Sequence, residues 1–293
     1  MVFNWYILLI MVGYAFFNGI GSLGFKLGLK KIDKPSVSLQ NLSKENRSAY
    51  IQLLKTPIWL FGWLCLGIDF LIYQIAIKNY DLSVIKPLVN LNLIFVILFG
   101  TIILKEKIGL FEWIGITFII LGAIMITLFS TPSETNINLP KLIIFIGLIL
   151  ISVVLLVIAN QFTSIDNKEL ILGCFSGILY GTGSIFNKAA YSTNNSYFLT
   201  IVFIIFFGIS YGFAFLSGQS AYLNGRMSIV STLVNVFSIL TPFIGGILIF
   251  EETLIIDTPI GWMKYLKIIG LICILLGIAF TSIKNGKENN SPD

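Results

Sequence analysis

The chain has 293 residues, a formal net charge of +5, 56% apolar residues and 11% charged ones, with a mean hydropathy of +0.92. That balance lies outside the range of soluble globular domains and points to a membrane protein. Histidine is absent, which removes the commonest side chain for metal ligation and proton relay. No nucleophile–base set, metal cluster or cofactor loop appears, so no enzymatic activity, catalytic residue, metal or cofactor is expected.

Crossing the hydrocarbon takes about 20 apolar residues in a helix. Nine runs qualify, roughly 5–29, 57–77, 82–104, 110–130, 140–160, 169–190, 197–217, 228–250 and 262–283. Their near-continuous apolarity fits helices, not the alternating segments of about ten residues that build a barrel. The first run has no basic flank before it and carries Lys26 at its far end, so a cleaved signal is not expected. The polar stretch 31–56 follows, and its Glu45–Lys55 portion reads as a short interfacial helix or a flexible loop. The second run holds Asp69, the one carboxylate well inside a span, and Gln74. Past the hairpin Lys78–Asp81, the third run brings Lys86, Pro87, Asn90 and Asn92. Pro87 removes a backbone donor and leaves the carbonyl near Ser83 free to meet a cavity or water. Asn90 is a candidate cavity wall, whereas Asn92 points about 200° around the helix from it. Asn235 in the eighth run is a second candidate wall; cementing helices is the alternative role for both amides. Cys65, Cys174 and Cys273 all fall inside spans and read as packing residues, not disulfide partners. The tail 285–293 reads as disordered.

Much of the chain is written twice. Residues 19–26, GIGSLGFK, match 181–188, GTGSIFNK, sharing Gly, Gly, Ser and Lys. Residues 74–107 align without gaps to 219–252, pairing Gln74 with Gln219, Asn90 with Asn235, Gly100 with Gly245 and Glu106 with Glu251. Gly115 and Gly122 are echoed by Gly270 and Gly277. Five spans separate the start of one copy from the start of the other. Five is odd, so each copy is expected to cross the membrane in the opposite sense to its partner, the arrangement of secondary transporters. The expected fold is an all-α polytopic bundle of about nine transmembrane helices with inverted repeats. Residues 1–130 form the first repeat, 131–168 a spacer helix, 169–284 the second repeat and 285–293 the tail. The copies differ in a longer loop at 31–56 and an insertion near 253–262. No Walker-type loop occurs, so uphill transport is expected to draw on an ion gradient. The spaced glycines allow close helix approach within a monomer, or between monomers of a homodimer.

Lysine and arginine in the loops set orientation. Lys30, Lys31, Lys34, Lys44, Arg47, Lys55, Lys105, Lys107, Lys168, Arg226, Lys284 and Lys287 fall on one side, and Lys78, Lys141, Lys188, Lys264 and Lys267 on the other. Twelve against five places the N-terminus outside and the C-terminus in the cytoplasm, in the cell membrane. Because the charge follows membrane sidedness, the net +5 is no nucleic-acid footprint.

Ionisable residues inside spans cost about 2.5–3.5 kcal/mol at the bilayer centre and need a reason. Asp69 and Lys86 flank one hairpin at depths differing by about 6 Å. Ala214 and Ser231 take their places in the other copy, so the two charges occur together and are missing together. They read as an ion pair that either holds the hairpin or lines a cavity and couples to a substrate. Lys26 and Lys188 lie near span ends, where snorkelling to the interface is the expected role. Tyr14, Tyr73, Tyr180 and Tyr211 could stack on an organic solute.

The run from Asp81 to Ile126, with Lys105-Glu106 and Trp113-Ile114-Gly115, echoed by Glu251 and Gly270, resembles the drug/metabolite transporter superfamily. The resemblance covers nearly the whole chain through the duplication. Members usually have two five-helix halves, and this chain reads one helix short at its start. Nine spans with an external N-terminus, the opening GSLGFKLGLKK and the Trp59–Trp63 entry look more like the NIPA-type magnesium transporter branch than the EamA type. The resemblance implies transport through a cavity between the halves. Magnesium demands hard oxygen ligands in near-octahedral order, and a single deep carboxylate beside Lys86 suits a small organic solute better. The expected function is therefore alternating-access transport of such a solute, with Asp69, Lys86, Asn90, Asn235 and Gln74 as binding or coupling residues. A divalent-cation transporter and a non-transporting membrane scaffold are the alternatives.

Overall fold

The computed structural model describes residues 5–30, 55–105, 109–128, 137–162, 168–193, 196–224, 227–252 and 265–283. Most of the long loop at 31–56, the insertion near 253–262, Glu106, Lys107, Arg226 and the tail lie outside the described residues. Within them the chain is helical throughout: α1 Trp5–Lys30, α2 Pro57–Asn79, α3 Leu82–Leu88, α4 Asn92–Leu104, α5 Leu110–Thr127, α6 Leu139–Phe162, α7 Lys168–Tyr191, α8 Tyr197–Asn224, α9 Met227–Ile249 and α10 Leu266–Ile283. Each expected span coincides with one helix, except that the third is divided into α3 and α4. Seven stretches among the described residues are long and apolar enough to cross a membrane, and shorter apolar stretches run Leu139–Ser152 and Leu266–Thr281. Large apolar side chains stand outward on α6 and α8, among them Ile143, Leu148, Phe198 and Phe213. The chain is an all-α integral membrane bundle.

The break in the third span has a local cause. Pro87 is the sixth of the seven residues of α3, and the backbone passes through a 3-10 turn at Val89–Leu91 before α4 begins. A proline at that point withdraws the amide that would have met the carbonyl one turn earlier, and the chain tightens into i to i+3 bonding.

The chain divides into two compact units. The smaller, Leu8–Ile75 with Val89–Ile108, holds most of α1 and α2 together with α4. The larger comprises Met1–Ile7, Ala76–Leu88 and Gly109–Asp293.

In the smaller unit α1 lies antiparallel to α2 through missing β-carbons. A methyl on Gly24 would fall 2.9 Å from the Gly62 Cα, one on Gly21 2.8 Å from the Leu66 side chain, and one on Gly28 2.8 Å from Trp59. On its other side α1 meets α4 through Gly19 against Phe95 and Phe99.

The larger unit repeats this trio with α7, α8 and α9. Gly177 packs on Phe237, Gly181 on Thr241 and Pro242, and Gly183 on Tyr211. Gly21 and Leu66 correspond through the repeat offsets of 162 and 145 to Gly183 and Tyr211, so one contact recurs at matched positions. The larger unit adds the antiparallel pair α5 and α10. A methyl on Gly122 would fall 2.5 Å from the Gly270 carbonyl oxygen, and one on Gly277 2.7 Å from that of Gly115. The repeated glycines thus serve close packing.

Candidate functional site

In the smaller unit three helices contribute one polar side chain each to a continuous chain of hydrogen bonds. Asn18 of α1 donates its Nδ2 to Asp69 Oδ2 on α2 at 2.7 Å, and Asn92 of α4 donates its Nδ2 to Asn18 Oδ1 at 2.8 Å. Asp69 is 6% exposed, and the two amides are half-buried. Asn18 reaches both partners because it sits one residue before Gly19, where the missing side chain lets α4 approach α1. A carboxylate can only accept. The orientation of the Asn18 amide is therefore fixed by Asp69, and that of Asn92 by Asn18. Tyr14 and Tyr73, one turn from Asn18 and Asp69, lie with ring centroids 6.0 Å apart.

The larger unit carries a second polar assembly at the corner between α2 and α3. The Glu252 carboxylate, 7% exposed, accepts the Leu82 amide at 2.6 Å and the Ser83 amide at 2.8 Å. It thereby satisfies two of the first amides of α3, which have no partner within the helix. Lys188, fully buried in α7, donates its Nζ to the Ile77 carbonyl at 2.8 Å and to that of Tyr80, at the end of α2. Lys267 of α10 completes the group through a 3.3 Å ion pair with Asp81. Two acids and two lysines are thus buried around one turn, with the negative side chain at a helix start and the positive one at a helix end, as the peptide dipoles favour. Burial, together with the neighbouring Asp81 charge, pushes the Glu252 carboxyl up from its ordinary range, against the pull of the Ser83 and Leu82 hydrogen bonds.

Glu252 reaches the corner because α9 ends abruptly. Glu251 takes a left-handed backbone, φ 55°, and the Glu252 amide bonds back to the Gly246 carbonyl at 3.2 Å. The Glu252 side chain then folds over Gly246, where a β-carbon would collide with it. Glu251 points outward to an exposed ion pair with Lys141 at 2.6 Å, and Lys141 and Asn138 hold its carboxyl below the usual range.

Of the expected site residues, Asp69, Gln74 and Asn90 fall in the smaller unit, and Lys86 and Asn235 in the larger. Asp69, Lys86 and Asn90 are buried, Gln74 and Asn235 partly so. Two readings need correction. Asn92 is not turned away from the polar chemistry but ends the chain of hydrogen bonds that begins at Asp69. Lys188 does not snorkel; it is fully buried and caps the end of α2. Tyr180 meets Tyr211 edge-on with centroids 5.2 Å apart, and Tyr14 lies tilted against Tyr73 at 6.0 Å. Sequence reasoning missed Asn18, Asp81, Glu252 and Lys267. Asn18, immediately before the first GIGSLG copy, had a positional signal; Glu252 was hidden beside the repeat-matched Glu251.

Residues 39–128 match the EamA-like transporter family. The probable magnesium transporter NIPA9 of Arabidopsis thaliana is 27% identical over 237 residues, which cover 75% of this chain and 67% of that protein. A probable 4-amino-4-deoxy-L-arabinose-phosphoundecaprenol flippase subunit, ArnE, of Proteus mirabilis (strain HI4320) is 32% identical over 77 residues, 26% of this chain and 68% of that one. A transporter encoded in the cobO 3' region of a Sinorhizobium species is 36% identical over 74 residues, 24% of this chain, and the match spans about half (52%) of that protein. No solved structure matches.

Proposed function

Because the chain belongs to the EamA-like transporter family, we propose that it is a secondary carrier that moves a small organic solute across the membrane by alternating access. The observation that carries this reading is the buried carboxylate of Asp69, held within a span by an amide relay. Polar groups are expensive at membrane depth and mark substrate or ion pathways. Asp69, Gln74 and Asn90, with Asn18 and Asn92 added, and Lys86 and Asn235, are the proposed binding and coupling residues. Membership in a transporter family argues against the scaffold alternative.

The two copies are proposed to be inverted repeats. In support, Gly115 meets Gly277 and Gly122 meets Gly270, and exchanging the repeat-matched positions turns one contact into the other. A two-fold relation produces this reciprocity. The N-terminus is proposed to face outward in the cell membrane. Of the five basic residues assigned outside, Lys141 is ion-paired with Glu251, Lys267 with Asp81, and Lys188 is buried. The uncompensated positive charge on that side is thus smaller than the raw number suggests.

Magnesium is the second reading, favoured by the relative named for that ion. Among the described residues no group of three or more His, Cys, Asp or Glu could hold a metal, and a hydrated magnesium bound by Asp69 and amide oxygens is the form it would take. Proteoliposome uptake separates the two. An organic solute, screened as a panel, should move with the wild type but not with Asp69→Asn, while both insert equally. Full transport by Asp69→Asn would refute the assignment. Magnesium uptake by the wild type, without movement of any organic solute, would establish the second reading.

A further inference from the structure

The relay in the smaller unit has a direction, and that direction depends on one proton. With Asp69 ionised, Asn18 must present its NH2 to the carboxylate and its Oδ1 to Asn92, so Asn92 spends an N–H inward. The Asn92 Oδ1 is then the free terminus; it accepts no hydrogen bond from the described residues. With Asp69 protonated, the carboxyl gains a donor and the reverse arrangement becomes available. The carboxyl O–H donates to Asn18 Oδ1, Asn18 Nδ2 donates to Asn92 Oδ1, and an Asn92 N–H becomes the terminus. Each reversal requires only that two amide groups turn over, with every hydrogen bond of the chain retained.

We infer that Asn18 and Asn92 transmit the protonation state of Asp69 from α2 through α1 to α4, so that the relay binds a hydrogen-bond-donating cation, such as a protonated amine, when Asp69 is ionised and releases it when Asp69 takes a proton. This deepens the carrier reading and rests on it. Charge balances at the site: one proton arrives on an Asp69 oxygen as one positive ligand leaves, and no bond other than hydrogen bonds is made or broken.

The surroundings fit a switch of this kind. The ionisable neighbours within the unit are Cys65, one turn before Asp69 and within reach of its charge, and the hydroxyls of Tyr14 and Tyr73. Helix α4 brings no ionisable side chain between Asn92 and Leu104. None of these side chains carries a positive charge. The repeat offers an internal control: the positions matching Asn18, Asp69 and Asn92 are Tyr180, Ala214 and Phe237. Those residues support a helix trio without a carboxylate or an amide side chain, so such packing does not require the relay.

Ammonium and potassium are the probes, being similar in size and charge while only ammonium donates hydrogen bonds. Binding to purified protein is read by thermal shift and calorimetry at matched ionic strength. Ammonium should bind about tenfold more tightly than potassium, as expected for added hydrogen bonds from a charged donor. Ammonium affinity should weaken by up to about tenfold for each pH unit below the Asp69 pKa, until the preference is lost, the response to one linked proton. Infrared difference spectra across the same titration should show a carboxylic acid band rising together with a shift in side-chain amide bands. Asn18→Leu and Asn92→Leu should keep the carboxyl band, lose the amide shift and lose the ammonium preference. Asp69→Asn should lose all three. A pH-independent preference, or one that survives intact in correctly folded Asn18→Leu, would overturn the inference, because binding would then not pass through the relay. These measurements need no transport, so a wild type that moves no solute in vesicles would refute the carrier reading while leaving the switch in place.

Discussion

A carboxylate oxygen of Glu252 lies 2.8 Å from the amide nitrogen of Ser83, a residue 169 positions earlier in the chain. With the companion bond to Leu82, this closes the exposed start of a helix only seven residues long from outside that helix. Removing the carboxylate leaves two buried amides without partners, at about 1–3 kcal/mol each. Glu252→Ala should therefore lose about 2–6 kcal/mol of stability, measured by denaturant titration in detergent. An unchanged midpoint would mean that water or another side chain replaces the cap.

Lys188 is the complementary case. Lys188→Met keeps the volume but strips the Ile77 and Tyr80 carbonyls of their donor and leaves two acids facing one lysine. Breaking a buried charge assembly from one side costs about 3–5 kcal/mol. Replacing both, as Lys188→Met with Glu252→Gln, should recover part of the loss, and a double-mutant cycle reads the coupling. Strict additivity would refute a shared assembly.

Gly122 has no room for a side chain. A methyl there would meet the Gly270 carbonyl oxygen at 2.5 Å and the Ile274 side chain at 2.7 Å. Gly122→Ala should separate α5 from α10 and cost about 1–3 kcal/mol. Gly147, with open space around its missing β-carbon, is the control: Gly147→Ala should be neutral or slightly stabilising. Equal effects at the two sites would count against close packing as the role of Gly122.

Stability should depend on pH through Glu252. Its carboxyl is raised in the folded protein by burial and by Asp81, so the folded state holds the proton more tightly than the unfolded one. Stability from this group therefore grows as pH falls through the raised value and levels off near the unfolded value of about 4.3. Glu251 acts in the opposite sense, because Lys141 and Asn138 lower its carboxyl, but it is exposed and screened by solvent. Melting of the wild type and Glu252→Gln across mildly acidic to mildly alkaline buffers checks the sign. The variant should have the flatter profile, and a wild type that loses stability on mild acidification by the same amount as the variant would contradict it.

Helix positions were legible because apolar run length is a one-dimensional property, and only Pro87 divided an expected span. The glycine echoes also carried through to contacts, since a residue without a side chain does the same thing in any partner's groove. The polar groups were harder. Asp69 stood out as a carboxylate among apolar neighbours, but its partner Asn18 lies 51 positions away and Asn92, which bonds Asn18, a further helix away, and helical wheel geometry of one span says nothing about the face another presents. Asn92 was misread for that reason. Glu252 and Lys267 sat at expected span ends, where charged residues are ordinarily solvated, and burial there comes from tertiary packing around the α2–α3 corner.

The unequal relay bears on how a duplicated gene diverges. Two copies of one helix trio keep their steric framework, yet the electrically demanding residues persist in a single copy while the other has aromatic and small substitutes at Tyr180, Ala214 and Phe237. An ancestor assembled from two identical half-length chains would have had to carry that chemistry in both or in neither. Within a single polypeptide that constraint is absent, so one trio can hold buried polar chemistry while the other keeps only the steric framework.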